Sequence, residues 1–288
     1  MLPTPNNSVE FIIFIYLYFC EIWEKIKTKL LPGKIRGRKS NLRIPEVLTL
    51  GCMFVFSGIP TIKRFYEFVT SAWKSWFDFP VYKNFIEGMN KSVGIASICL
   101  QHLLKLFRSQ FPAHAIDSTP LPVCKVKREY SHKVCKGIAE KSRSTIGWFF
   151  GFKLHAIVSK EGYLLSVVIT KANVDDRTPI EKLTEDLDNC IIIADAGYIS
   201  AELREKLLQK GILLFYAVRN NMKKLMTGLQ YCLLKSRQIV ESVFSVLKDR
   251  MFMASSLPRS IVGHLSRYIF CLLGYQLKCL LRSFHLIS

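Results

Sequence analysis

Acidic residues are scarce in this chain: 22 aspartates and glutamates stand against 41 lysines and arginines, a net charge of +19. The surplus is spread, at +8 over residues 1–110, +4 over 111–150 and +7 over 151–288, which excludes a single basic tail. A polyanionic partner suits such a balance, because each phosphate neutralised by Lys or Arg releases a counterion. A Lys-rich proteome accounts for it equally well. Paired cysteines are also lacking. None of the nine forms a C-x-x-C pair, and Cys20, Cys52, Cys99, Cys190, Cys271 and Cys279 lie in apolar runs, which points to reduced core thiols in a cytoplasmic protein rather than a disulfide scaffold. Cys124, His132 and Cys135 fit no common zinc spacing. No apolar run approaches the ~20 residues that cross a bilayer. The longest, FIIFIYLYFC at 11–20, is bounded by Glu10 and Glu21 and reads as a buried helix. With no basic start and no small-residue cleavage site, neither a secretory signal nor a membrane partner is expected.

What the chain does hold is enough apolar material, 50% of 288 residues, for a sizeable core. Residues 8–31 read as a helix, followed by the basic stretch PGKIRGRKSN at 32–41. Pro45 opens a second helix to about Ser57, and Thr61 starts a third with Ile62, Phe65, Tyr66 and Val69 on one face. Lys63 and Arg64 project from it, so residues 45–76 permit a helix-turn-helix DNA reader or an ordinary helical hairpin. From residue 111 the period changes. AHAID (113–117), GWFFGFKLHAIVS (147–159) and YLLSVVITKA (163–172) read as strands, the last two a hairpin. A helix over 175–188, a strand ending CIIIAD (190–195), a helix over 200–210 capped by Ser200, a strand over 212–218 and a periodic helix over 236–250 follow. The expected architecture is α/β: a mixed five-stranded sheet of the ribonuclease H-like kind with flanking helices, occupying 111–288, preceded by an all-α region at 1–110.

In that order of elements Asp117 ends the first strand and Asp195 the fourth, on neighbouring strands, while Glu241 lies inside the last helix. Adjacent carboxylates repel, and a cation that holds them together relieves the repulsion. Hard oxygen ligands with open positions suit Mg2+ or Mn2+, and two such ions support in-line displacement at phosphorus. Around Glu241, Ile239, Val240, Val243, Phe244 and Val246 are apolar, and Arg237 and Lys248 stand at i−4 and i+7 on roughly the same helical face. That row places cations beside scissile phosphates, or else forms a surface salt-bridge ladder. Asp175 and Asp176 are rivals for the acidic site, though helix capping explains both without catalysis. Lys153 and His155 share one strand face, near metal or DNA, or with His155 in the core. The stretch 124–143 carries seven basic residues, among them Lys125, Lys127 and Arg128, with Tyr130 and His132 interleaved. It reads as a DNA contact or a solvated loop.

Six stretches in order, AIDSTPLPVC, GWFFGFKLH, ITKANVDDRTP, DAGYIS, RNNMK and RQIVESVFSVLK, resemble the DDE transposases of bacterial insertion sequences, in particular the group named after insertion sequence 982. The resemblance runs from about 113 to 250, with weaker likeness in RIPEVLTL and SGIPTIKRFYEF. It implies catalytic and metal-binding roles for Asp117, Asp195 and Glu241, two Mg2+ or Mn2+ ions, and DNA contacts at Arg237, Lys248, Lys153, Lys125, Lys127, Arg128, Lys63 and Arg64. It further implies a polynucleotidyl transferase that cleaves terminal inverted repeats and joins the 3′-hydroxyl to target DNA, acting as a homodimer in a synaptic complex. Three departures stand out: Leu234 where the related signature has Tyr, Ala196 where Lys is usual, and SSLPRS at 255–260 in place of a His/Arg-rich stretch. A catalytically weak copy that occupies terminal repeats, and a stand-alone nuclease of the same fold, remain as alternatives.

Overall fold

The structure, a computed structural model, describes residues 5–30, 40–108, 112–145, 147–198, 200–216, 228 and 234–283. Most of the basic stretch at 32–41, and RNNMK at 219–223, lie outside the described residues. The chain forms two compact units: 1–103 with 250–253 and 257–288, and 104–249 with 254–256.

The first unit is all helical. Helix α1 (Pro5–Leu30) buries Phe11, Ile12, Ile15, Phe19 and Ile22, a helical stripe, and leaves Ile13 and Leu17 exposed. Among the described residues no helix is long and apolar enough to cross a membrane. Helix α2 (Ile44–Phe56) begins as the sequence predicts, with Pro45 in its first turn and Glu46 accepting from the Arg43 amide at 2.7 Å. It buries every residue from Val47 to Val55. Helix α3 (Ile62–Ala72) is capped by Thr61, whose hydroxyl accepts from Arg64 N at 3.4 Å, and buries only Phe65 and Val69. Helix α4 (Tyr82–Lys91) and helix α5 (Val93–Arg108) follow, and α5 carries the chain into the second unit.

The second unit is a mixed sheet with β1 (Ala113–Cys124) at its centre. On one side β1 pairs antiparallel with β3 (Gly147–Ser159); on the other it pairs parallel with β5 (Ile191–Ala194), which pairs parallel with β6 (Leu213–Tyr216). The outer edge of β3 takes β4 (Leu164–Lys171) along its second half and β2 (Glu140–Ser144) along its first. The expected strand order holds, with six strands among the described residues rather than five. The extra strand β2 comes from the basic stretch expected as a loop. That stretch is pinned because Val123, Cys124, Cys135, Ala139 and Phe150 form a buried apolar cluster beneath it. The strand expected over 113–117 also runs on to Cys124 through Pro120 and Pro122. Its β5 partner stops at Ala115↔Ile193, so that part of β1 has one neighbour and tolerates residues that lack an amide donor. Gly151 makes room there: a Cβ on it would lie 2.2 Å from Leu121 O.

Helix α6 (Ile180–Leu183) is a single turn, against the helix expected over 175–188. Helix α7 (Ala201–Gln209) packs on β6 and is capped by the Ser200 hydroxyl, which accepts from Leu203 N at 3.3 Å. Helix α8 (Gln238–Ser245) packs on β1 and β3 and continues as a π turn, Val246–Arg250.

Helix α9 (Ile261–Ser283) folds with the first unit, against α2 and α4. It is buried on nearly every face from Tyr268 to Leu281, and α2 supplies the apolar surface it needs. The approach is close at Gly51, where an added Cβ would lie 2.2 Å from the Phe270 ring. A rigid aromatic cannot yield to that contact. Gly51→Ala is therefore expected to destabilise the protein by about 1–3 kcal/mol, the usual cost of overpacking, measurable by denaturant unfolding. Unchanged stability would show that α2 and α9 do not pack this way.

Candidate active site

The parallel register of β1 and β5 sets the geometry. The pairs Ala113↔Ile191, His114↔Ile192 and Ala115↔Ile193 hold a constant offset of 78 positions. The same offset brings Asp117 level with Asp195, at the carboxyl ends where ligands collect in sheets of this kind. Both carboxylates are oriented alike. Asp117 Oδ1 accepts from Ser118 N at 2.8 Å and Asp195 Oδ1 from Ala196 N at 2.7 Å, so each spends one oxygen on the next amide and presents the other. Asp117 is half-buried, whereas Asp195 and Glu241 are exposed.

Helix α8 brings the third acid and a cation. Arg237, its N-cap residue, donates from Nη1 to Asp117 Oδ2 at 3.2 Å, and its Nη2 lies 3.6 Å from Glu241 Oε1. Glu241 and Arg237 are one helical turn apart, and Val240, Val243 and Phe244 are buried beside them. The guanidinium thus sits between two of the three carboxylates. Burial pushes the Asp117 carboxyl up to about 6, opposed by the Ser118 amide and by Arg237, and reinforced by Asp195 and Glu241. The site holds more negative charge than one arginine neutralises.

Below the pair lies a group that the sequence reading missed. Tyr198, in the 3-10 turn Ala196–Tyr198, is buried, and among the described residues its hydroxyl has no hydrogen-bond partner. Burial raises its pKa, and Asp176, Asp117 and Asp195 raise it further, in that order. Asp176 is therefore near the site and does not cap a helix. Its Oδ1 takes Lys153 Nζ at 2.7 Å. Asp175 instead pairs with Arg177 at 2.9 Å, which holds its carboxyl down at about 2. His155 is a core residue: fully buried, with Nε2 2.8 Å from the Thr170 hydroxyl. Burial pushes its imidazole well below the ordinary range, so it is neutral.

Of the expected DNA contacts, Arg237 faces the carboxylates and Lys153 is engaged by Asp176, with 14% of its side chain exposed. Lys248 is half-buried in the π turn, whose wider spacing removes the α-helical alignment expected between it and Glu241. Lys125, Lys127, Arg128, Lys63 and Arg64 are exposed, and Tyr130 is 90% exposed. The strand-end aspartates and the Arg237–Glu241 pair on the last helix were legible beforehand. The Lys153–Asp176 pair left a faint signal, a lysine on an otherwise apolar strand.

The sequence model of the Transposase DDE domain family matches residues 111–261. No curated protein matches the chain significantly. Among solved structures, a piggyBac transposase synaptic complex with hairpin DNA is similar at 12% identity and a TM-score of 0.35, covering 74% of this chain and 50% of that one. A pre-cleavage Mos1 transpososome is similar at 12% identity and a TM-score of 0.24, covering 91% of this chain and 86% of that one. The chain spans about half the length of the piggyBac structure it matches.

The raised Asp117 carboxyl has a direct consequence for stability. With a folded value of about 6 against 3.8 ordinarily, the protonated form is favoured by folding. Its contribution is complete below the ordinary value and is lost as pH rises through about 6. In chelator-treated protein, Asp117→Asn should gain stability relative to the parent between about pH 4 and pH 7, by roughly 2 kcal/mol at the upper end. Denaturant unfolding across that range checks it, and a constant difference would contradict it.

Proposed function

Because the chain belongs to the Transposase DDE domain family, we propose that it is the transposase of a bacterial insertion sequence, most like the group of insertion sequence 982. It cleaves the terminal inverted repeats and joins the freed 3′-hydroxyl to target DNA, as a homodimer in a synaptic complex, in the cytoplasm where the nucleoid lies. The observation that carries this reading is the β1–β5 register, which aligns Asp117 with Asp195 when carried two positions past its last pair, with Glu241 tied to Asp117 through Arg237.

The residues fit a divalent-metal centre. The donors are hard carboxylate oxygens, two of them exposed. A cationic side chain already lies between Asp117 and Glu241, and the Asp117 carboxyl resists ionisation without more positive charge. Asp117, Asp195 and Glu241 would hold two Mg2+ or Mn2+ ions, which supply activation of an attacking oxygen and neutralisation of charge at the leaving oxygen.

The chain's own residues do the rest. The Ser118 and Ala196 amides fix the aspartate rotamers. Released from the carboxylates, Arg237 can turn its fork to a phosphate, for which guanidinium geometry is suited. Lys153 neutralises Asp176 and keeps the 175–179 turns against the sheet. Lys125, Lys127 and Arg128 lie exposed on the same unit, free to track the DNA backbone. Lys63 and Arg64, exposed on α3 after the turn from α2, are the proposed helix-turn-helix contacts.

Labelled terminal repeats test the proposal. Asp195→Ala should abolish strand cleavage in Mg2+ and leave repeat binding within about threefold, since a lost carboxylate does not weaken phosphate contacts. Continued cleavage by that variant would refute the site. Cutting by the parent protein without joining to a target plasmid would favour the stand-alone nuclease, and binding without cutting the catalytically weak copy.

A further inference from the structure

The first unit contains a second site. Helices α2, α3, α4 and α9 and the segment before α9 enclose a cavity of about 690 Å3, well within the roughly 300–1,000 Å3 typical of small-ligand sites. Its walls are apolar, with Phe54, Ile62, Ile86, Met89 and Phe270 among them, and the Tyr82 ring stands at the same cavity. Its charged lining is mostly cationic: Lys63, Lys83, Arg259 and Arg267, against the single acid Glu87.

Those cations lack compensation. Glu87 is 3.9 Å from Lys91, outside the cavity lining, and Lys63 makes only a 4.0 Å contact to Glu67. Among the described residues no ion pair forms at Lys83, Arg259 or Arg267. Arg267 is the informative one, 9% exposed. Its Nε donates to Phe252 O, its Nη2 donates to Pro60 O at 3.2 Å, and its guanidinium lies 5.1 Å from the Phe54 ring centroid. Two carbonyls and a ring face satisfy part of the fork but leave the charge without an anion. A buried cation in that condition is costly unless a counter-charge arrives.

Apolar aromatic walls with a cationic lining are what an unpaired nucleotide requires: a ring to stack on, and positive groups for its phosphates. A duplex is too wide to enter. We propose that this cavity receives one unpaired nucleotide of a DNA strand, its base against Tyr82 and Ile86 and its phosphate toward Lys83, Arg259 and Arg267. The inference rests on the DNA-partner reading above but not on the carboxylate site, since every lining residue belongs to the first unit.

Fluorescence anisotropy on the full chain tests it, with a blunt duplex and the same duplex shortened to carry an oligothymidine tail of equal phosphate count. The parent protein should prefer the tailed form by about tenfold, the scale of one stacked base. Ile86→Trp, which fills the position of the base, should erase that preference while blunt-duplex affinity stays within about twofold. Lys83→Glu reads the same effect from the lining, should the filled variant melt early. A 5-iodouracil tail should crosslink to Tyr82. Absence of tail preference, or its survival in both variants with parent-like melting, overturns the assignment. So does displacement of the tail by decanoate as readily as by thymidine monophosphate, which would make the cavity a general site for apolar anions. Asp195→Ala should retain the preference, so failure of the catalytic reading and failure of this one are read separately.

Discussion

Like charges brought together by backbone hydrogen bonding are the constraint on which the second unit depends. The β1–β5 ladder, whose last pair is Ala115↔Ile193, directs Asp117 and Asp195 to the same end of the sheet whether or not their charges are balanced, and burial of Ile116, Ile192 and Ile193 holds it there. Both strands bury successive residues on both faces there, so hydrophobic burial outweighs the repulsion. What remains adjustable is the neutralising charge, and here one arginine from the neighbouring helix provides part of it. The site is built short of positive charge.

The surroundings follow the same logic at lower stakes. Lys153 could have served as a second balancing cation, yet it is spent on Asp176. Tyr198 lies buried near three acids without an acceptor bond, and a phenol in that position keeps its proton. The charge in this region is thus carried by carboxylates, with polar but neutral groups, Tyr198 and His155, packed behind them.

The aspartates were legible in the sequence because a buried strand that ends on an acid has few structural explanations. Helix starts at Thr61 and Ser200 were legible because their cap chemistry is local. Strand β2 was not: its EKSRS sequence carries no apolar alternation, and it forms only because β3 offers an open edge and the Cys124–Cys135 cluster pulls its loop inward. The helix expected over 175–188 shrank to Ile180–Leu183, with Asp175 closing a turn on the Arg177 amide and side chain and Asp176 pairing with Lys153 ahead of it. The π turn after Ser245 and the partnership of α9 with α2 depend on distant packing that periodicity does not reveal.

The claim that three carboxylates form one cage for divalent ions is tested most directly by anomalous diffraction from crystals soaked in Mn2+. The account predicts manganese bound by Asp117 and Asp195, with Arg237 displaced from Asp117 and the signal lost in Asp117→Ala. Manganese bound elsewhere while Arg237 keeps its bridge to Asp117 and Glu241 would contradict it.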